Sequence, residues 1–274
     1  MDSISRACNE PVLVKKFSEN LDTEFIGKNI IFFPRVKSTN LIAKKEGENM
    51  QNGTVLLADY QSAGRGRRNK EWFSPGGQGL WISIIIKNPD IKLNILPVVN
   101  ILLSVVITKS IINISNKQIK IKWPNDLIYN NKKVCGLLSE TFKISQHTIL
   151  ISGIGVNTGK NILFPEEISL KAGSIELEGD RQRELLLKDI LETFERSYKL
   201  LIKSDFQKIL KEYKEYSLTL NKNIEIIEPE GIRIPARVID IGSYGELVVK
   251  TFNGQRRNIY TGEEILQKIN AGAS

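Results

Sequence analysis

Between Asn29 and Val156 the chain is built mainly of short segments rich in β-branched residues, and this pattern limits its fold more than any other feature. Residues 30–33, 54–60, 80–87, 119–122, 133–142 and 148–156 are each bounded by Gly, Pro, Asn or Asp, and all read as strands. Only two helical patterns lie among them. One opens on Ser38-Thr39-Asn40, a run of N-cap residues, and continues through Leu41, Ile42 and Ala43. The other runs over residues 96–114, with Pro97 in a first-turn position. Two helices laced with lysine and glutamate follow over 181–202 and 205–216. The texture then changes. Residues 224–227, 234–241, 246–252 and 256–260 read as four short strands joined by Glu230-Gly231, Ser243-Tyr244-Gly245 and Asn253-Gly254, as in a small SH3-like β-barrel. This places a boundary near residue 217, with an N-terminal extension over 1–28, a main domain over 29–217 and a small one over 218–274. Val12, Leu13, Phe17 and Leu21 give the extension one apolar-periodic piece, too little for a domain of its own.

The residue inventory removes whole classes of chemistry. His147 is the only histidine and Cys8 and Cys135 are the only cysteines, so His/Cys zinc sites, Ser-His-Asp triads and disulfide frameworks are set aside, and no metal site is expected. Cys135 sits in an apolar strand and reads as a buried, inert thiol. The longest apolar run, 95–107, is the front of a segment that reads as amphipathic, and it falls short of the roughly 18 residues a bilayer span needs. With Asp2, Arg6 and Glu10 and no apolar stretch at the N-terminus, a cytoplasmic protein without a membrane partner is expected. A net charge of +8 favours an acidic partner, although much of the excess is scattered along helices, as at Lys199, Lys203, Lys208, Lys211 and Lys214.

Two cationic features remain. Lys122-Trp123-Pro124-Asn125-Asp126 ends a strand and reads as a rigid corner, with the lysine charge in need of a partner. Gly64-Arg65-Gly66-Arg67-Arg68-Asn69-Lys70 reads as a mobile loop whose glycines admit a ligand and whose arginines offer bidentate donors. Taken alone, that loop is equally an exposed turn or a short RNA-binding stretch. Together, a fixed lysine and an arginine loop suit chemistry in which phosphate charge is held, neutralised and sealed from water. Gly153-Ile154-Gly155-Val156-Asn157-Thr158-Gly159 lacks the spacing of a dinucleotide fingerprint and reads as a loop open to a ligand.

In order and spacing these motifs resemble the biotin protein ligases. The resemblance rests on Ser38-Thr39-Asn40, on Tyr60-Gln61-Ser62-Ala63-Gly64-Arg65-Gly66-Arg67-Arg68 with Trp72-Phe73-Ser74-Pro75, and on Lys122-Trp123-Pro124-Asn125-Asp126-Leu127. Cys135-Gly136-Leu137-Leu138 with Glu140, and Gly153-Ile154-Gly155-Val156-Asn157, complete it, so that it covers residues 29–267. It implies an α+β fold: a mixed β-sheet catalytic domain, class II aminoacyl-tRNA synthetase-like, with helices on one side, followed by the SH3-like β-barrel.

The resemblance also implies the site. Ser38, Thr39, Asn40 and Gln61 would bind the biotin ureido ring and its surroundings, with Gly136 beside them. Arg65, Gly66 and Arg67 would close over the intermediate, and Lys122 would meet the carboxylate and the α-phosphate. Catalysis would fall to Lys122, Arg65 and Arg67. ATP would be held by these three together with Arg68, Trp72, Trp123, Asn125 and Asn157. The implied reaction activates biotin with Mg2+-ATP and passes it to a lysine of a biotin carboxyl carrier domain, with no tightly bound prosthetic group; homodimer formation stays open. Asn69-Lys70 stands where the family loop often continues Gly-Arg. About 28 residues before the first strand are too few for the winged helix of the bifunctional members, so no DNA partner is expected. The rival readings are a lipoate or octanoate protein ligase of the same fold and a nucleic-acid-binding module.

Overall fold

A computed structural model describes residues 16–87, 96–144, 147–202, 206–227, 232–260 and 265–267. Cys8, Val12, Leu13, the Glu230-Gly231 turn, Lys203 and the first residue of the 205–216 helix lie outside the described residues.

Seven strands form one sheet: β1 (Ile30–Val36), β2 (Val55–Gln61), β3 (Gly79–Lys87), β4 (Lys120–Lys122), β5 (Asp126–Tyr129), β6 (Lys132–Ile144) and β7 (His147–Asn157). Their spatial order is β1-β2-β3-β7-β6-β5-β4, and only the β1–β2 pair is parallel, so the sheet is mixed. Strand alternation divides its two faces. Ile82, Ile84 and Ile86 of β3 enter the main core, whereas Trp81 and Ile85 point to the opposite side and pack with Ala43 of α1 (Thr39–Glu46). Helices therefore lie on both faces, not on one. Among the described residues, the second face is covered only by this short helix and by loops, which leaves room for a cavity.

The main core is closed by α2 (Leu96–Ser115), α4 (Gly179–Ile202) and α5 (Phe206–Tyr216); a single turn, α3 (Glu166–Ser169), lies between. Helix α2 is not the amphipathic segment that its sequence suggests. Twelve of its residues are buried, because it is sandwiched between the sheet and α4 with α5, and such a helix has no wet stripe. By length and composition alone it could cross a membrane, yet 67% of its apolar window is buried inside the protein. Strand β5 is likewise absent from the sequence reading. The Pro-Asn-Asp turn is real, but it joins β4 to β5 in a hairpin that sets Lys122 opposite Asp126.

The remaining strands, β8 (Asn223–Ile227), β9 (Arg233–Ile241), β10 (Leu247–Thr251), β11 (Arg256–Ile259) and β12 (Ile265–Gln267), form a second sheet, antiparallel throughout, in the order β11-β10-β9-β8-β12. Its inward residues, among them Ile224, Ala236, Val238 and Val249, belong to the same hydrophobic core as α2.

Glu195 of α4 ties the N-terminal segment to this core. Its carboxylate accepts the backbone N–H groups of Glu24, Phe25 and Ile26 at 2.7, 3.0 and 2.8 Å, and Lys199 lies 2.9 Å away. Burial alone would raise its pKa; the three backbone donors and Lys199 outweigh burial and hold it below the ordinary value of 4.5. A lowered folded-state pKa stabilises above the unfolded value and loses that contribution as pH falls through the folded one. Glu195→Gln is therefore expected to cost on the order of 2 kcal/mol at neutral pH. In denaturation measured across pH, the gap from wild type should narrow below about pH 4; a gap that is constant with pH would refute the assignment.

Candidate active site

A cavity of about 650 Å³ opens on the sparsely covered face of the sheet, bounded by the start of α1, the 64–73 loop, the 122–126 corner and the 164–172 segment. One end is a buried polar slot. Ser38 precedes α1 with an extended backbone and makes no side-chain cap, and capping passes to Gln61, whose Oε1 accepts the Thr39 N–H at 2.8 Å. Gln61 Nε2 donates to Ser74 Oγ at 2.9 Å, which fastens the far end of the arginine loop. Ser83 donates to Asn40 Oδ1 at 2.6 Å and lies 2.7 Å from Thr39 Oγ1. Donors and acceptors are thus fixed in place before any ligand arrives.

The floor is made by glycines where β6 and β7 pair, Gly136 opposite Gly155 and Leu138 opposite Gly153. Side chains here would close the slot: a Cβ on Gly153 would lie 2.4 Å from Asn40 Oδ1, and one on Gly155 2.3 Å from Trp72 Nε1. The Trp72 ring lies against this floor and meets Trp81 edge-on, with centroids 6.5 Å apart. It is an apolar wall beside the slot.

Cations gather beyond Trp72. The 64–70 loop, which reads in sequence as mobile, is folded here: Gly66 N–H donates to Lys70 O at 2.7 Å, Lys70 N–H to Arg67 O at 3.1 Å, and Trp72 N–H to Gly64 O at 2.8 Å. Arg68 sits in the left-handed region at φ 54, a conformation that costs a non-glycine residue roughly 1 kcal/mol. Arg65 lies 3.9 Å from Glu140, and Arg67 donates to Asn125 Oδ1 at 3.5 Å, so the loop touches the corner across the cavity. Asn125 is itself buried and donates from Nδ2 to Leu137 O.

Four lysines line this space, Lys70, Lys122, Lys133 and Lys171, and two of them, Lys122 and Lys133, stand on the sheet. Lys122 ends β4 as expected. Lys133 was absent from the sequence reading and is the more firmly placed: its Nζ is 2.7 Å from Asp126 Oδ1 and 5.2 Å from the Trp72 ring centroid, in cation–π contact. The β5–β6 register shifts between Leu127 and Ile128, a bulge of the kind that re-aims a side chain, and simple alternation does not reveal it. Phe164, Ile168, Lys171 and Ile227 also line the cavity unforeseen. Phe73 and Phe164 meet with centroids 6.2 Å apart at one side of it.

The structure brings Ser38, Thr39, Asn40 and Gln61 together with Gly136 at the slot. Arg65, Gly66, Arg67, Arg68 and Trp72 reach the same cavity from the loop, and Lys122, Asn125 and Asn157 from the sheet. Asn157 donates to Gly173 O at 2.8 Å, while its buried Oδ1 has no protein partner. Trp123 also lines the cavity, although it is largely buried: the residue is 4% exposed and its Nε1 donates to Gly245 O at 2.8 Å in a turn of the second sheet. Cys135 is buried as expected, and burial pushes its thiol pKa up. Among the described residues no three His, Cys, Asp or Glu side chains cluster to hold a metal.

A preset polar slot joined to a cationic chamber on a mixed sheet suits a ligase that condenses a small acid with a nucleotide. The comparisons agree. Residues 32–157 match the model of the biotin/lipoate A/B protein ligase family. The bifunctional ligase/repressor BirA of Bacillus subtilis is 31% identical over 249 residues, 89% of this chain and 75% of that protein. A biotin–[acetyl-CoA-carboxylase] ligase of Mycobacterium tuberculosis is 25% identical over 77% of this chain and 79% of its own length. The biotin protein ligase from Aquifex aeolicus, solved with biotin and ATP, superposes with a TM-score of 0.74 at 28% identity, covering 87% of this chain and 98% of that one. This chain belongs to the biotin/lipoate A/B protein ligase family, among its biotin protein ligases.

Proposed function

We propose that this protein activates biotin with ATP as biotinyl-5′-AMP and transfers the biotinyl group to a lysine of a biotin carboxyl carrier domain. The observation that carries this reading is the single cavity joining the Ser38–Gln61 slot to the Lys122, Lys133 and Arg67 chamber. In the first step a biotin carboxylate oxygen bonds to the α-phosphorus and pyrophosphate leaves. Two anions must approach, and cations fixed beforehand lower that repulsion without reorganising. In the second step the carrier lysine amine attacks the acyl carbon, loses a proton and expels AMP. No protein nucleophile takes part, in keeping with a chain that has one histidine. Mg2+ enters with the nucleotide, where phosphate and water supply most of its ligands; Asp126 and Glu71, both at the cavity, are carboxylates within that chamber. The second sheet is read as an SH3-like barrel, and the basic surface as favouring encounter with an acidic carrier.

Lipoate is the competing substrate within the family. The polarity of the slot favours biotin, because a ureido group can hydrogen-bond the polar side chains of Ser38, Thr39, Asn40 and Gln61 that line it, and a dithiolane ring cannot. ATP–pyrophosphate exchange measured with each acid in parallel tests the point. Exchange driven by biotin at least about 100-fold more efficiently than by lipoate is expected; lipoate matching or exceeding biotin would reverse the reading.

A further inference from the structure

The 122–125 corner is held largely by chain from beyond the large sheet. Strand β4 is an edge strand, and an edge leaves its backbone unpaired on one side. The segment leading from α5 into β8 fills that side: Ser217 bridges Ile121 in parallel, and Leu218 N–H donates to Ile121 O at 2.8 Å. Trp123 N–H donates to Thr219 Oγ1 at 3.1 Å. Lys122 is thus clamped through the backbone on both flanks. The Trp123 indole reaches Gly245 O, in a turn where φ is +84 and a Cβ would stand 2.5 Å from Ile101 Cδ1, so that only glycine presents this carbonyl. Fully buried Tyr213 donates its hydroxyl to Pro124 O at 3.2 Å. Finally, Ile227 of β8 is part of the cavity wall.

We propose that Thr219, Tyr213 and the Gly245 turn are positioning residues for nucleotide activation: they fix the backbone on either side of Lys122 and so set where its ammonium, and the Asn125–Arg67 contact, meet the phosphates. The proposal rests on the ligase reading and adds to it a dependence of the first chemical step on the chain that follows the large sheet, carried by three contacts from α5, the segment after it and the Gly245 turn. None of these residues touches substrate. Their effect is on the rate of activation and on affinity for ATP, and the slot for biotin, built from α1, β2 and β3, lies outside their reach.

Thr219 offers the sharpest test, since valine is close in shape and lacks the acceptor, whereas serine keeps it. Three variants are compared with wild type: Thr219→Val, Thr219→Ser, and Lys214→Met as a control. Lys214 pairs with Asp240 at 2.6 Å and fastens α5 to the second sheet without contacting the corner. Single-turnover formation of biotinyl-5′-AMP is expected to slow about tenfold in Thr219→Val, the scale of one lost hydrogen bond. Biotin affinity should stay within about twofold of wild type. Thr219→Ser and Lys214→Met should keep the wild-type rate, even though the latter unfolds more easily. Hydrogen exchange of the 120–126 backbone should rise in Thr219→Val alone. Equal rates for valine and serine variants would overturn the proposal, as would a parallel loss in Lys214→Met, which would mark general loosening. A wild-type protein inactive with biotin would instead overturn the ligase reading, and exchange at 120–126 would still decide whether Thr219 fixes the corner.

Discussion

Replacement of Lys133 by methionine is expected to slow formation of biotinyl-5′-AMP by about 10²- to 10³-fold, the scale of removing one preorganised charge stabiliser. Three features single out this lysine. Asp126 holds its ammonium at 2.7 Å and the Trp72 face restricts it from another side, so the charge is placed before substrates bind. It stands beside Gly136, where the apolar wall gives way to the cationic chamber, and in the proposed reaction the carboxylate emerging from the slot would meet the α-phosphate there. Methionine keeps the length and apolar stem of the side chain, so that packing on Trp72 is retained while the charge is lost. Lys122 differs in kind. No hydrogen bond or ion pair joins its ammonium to another described residue, and Lys122→Ala is expected to fall chiefly on affinity for ATP, with a smaller loss of rate. Biotin affinity measured by calorimetry should change far less than the rate in either variant, because neither lysine belongs to the Ser38, Thr39, Asn40 and Gln61 set proposed to bind the ureido ring. A folded Lys133→Met protein with the wild-type single-turnover rate would remove Lys133 from the mechanism and return its proposed role to Lys122.

Much of the architecture is legible in the chain because local chemistry and tertiary context agree there. Ser38-Thr39-Asn40 signals a helix start and is one; the strands at 80–87 and 148–156 are buried on both faces and read as nearly continuous apolar runs. What escapes depends on distant residues. Strand β5 hides behind Pro124, Asn125 and Asp126, turn formers whose role as the tip of a hairpin is set by pairing with β6. Helix α2 looks amphipathic because Asn100, Ser104, Thr108 and Ser110 interrupt its apolar residues, but α4 and α5 cover that side, and Ser104 returns its hydroxyl to Asn100 O. Lys133 follows Asn130-Asn131-Lys132, a string that resembles a solvated turn, and only the bulge and Asp126 turn it into a site residue. Trp123 carries a second role that its motif does not show: its indole donates to the Gly245 carbonyl, 122 positions away, which anchors the corner to the second sheet.

Arg67→Ala should leave activation within about an order of magnitude of wild type and yet release the intermediate about 10- to 100-fold faster, with biotin appearing on bystander lysines. A mixed anhydride is harmless only while it is kept from water and from stray amines, which makes closure a separate requirement from activation. Arg67 is the loop residue that spans the opening: its guanidinium lies 3.5 Å from Asn125 Oδ1, and Asn125 is anchored to Leu137 O on the sheet floor. The rest of the loop is braced from the near side by Gln61, Ser74 and the Trp72–Gly64 hydrogen bond, none of which alanine at 67 disturbs. The loop is therefore expected to remain folded at its base and to open at its tip. Alanine rather than lysine is the informative change, because lysine would preserve the charge that attracts phosphate while losing the planar fork. Retention is followed by forming labelled intermediate, adding excess unlabelled biotin and timing the loss of label from the protein; selectivity is followed by labelling of an unrelated lysine-rich protein in the same tube. Release from Arg67→Ala as slow as from wild type, with no bystander labelling, would show that the intermediate is held by the slot and the chamber alone and that the loop-to-corner contact has no part in containment.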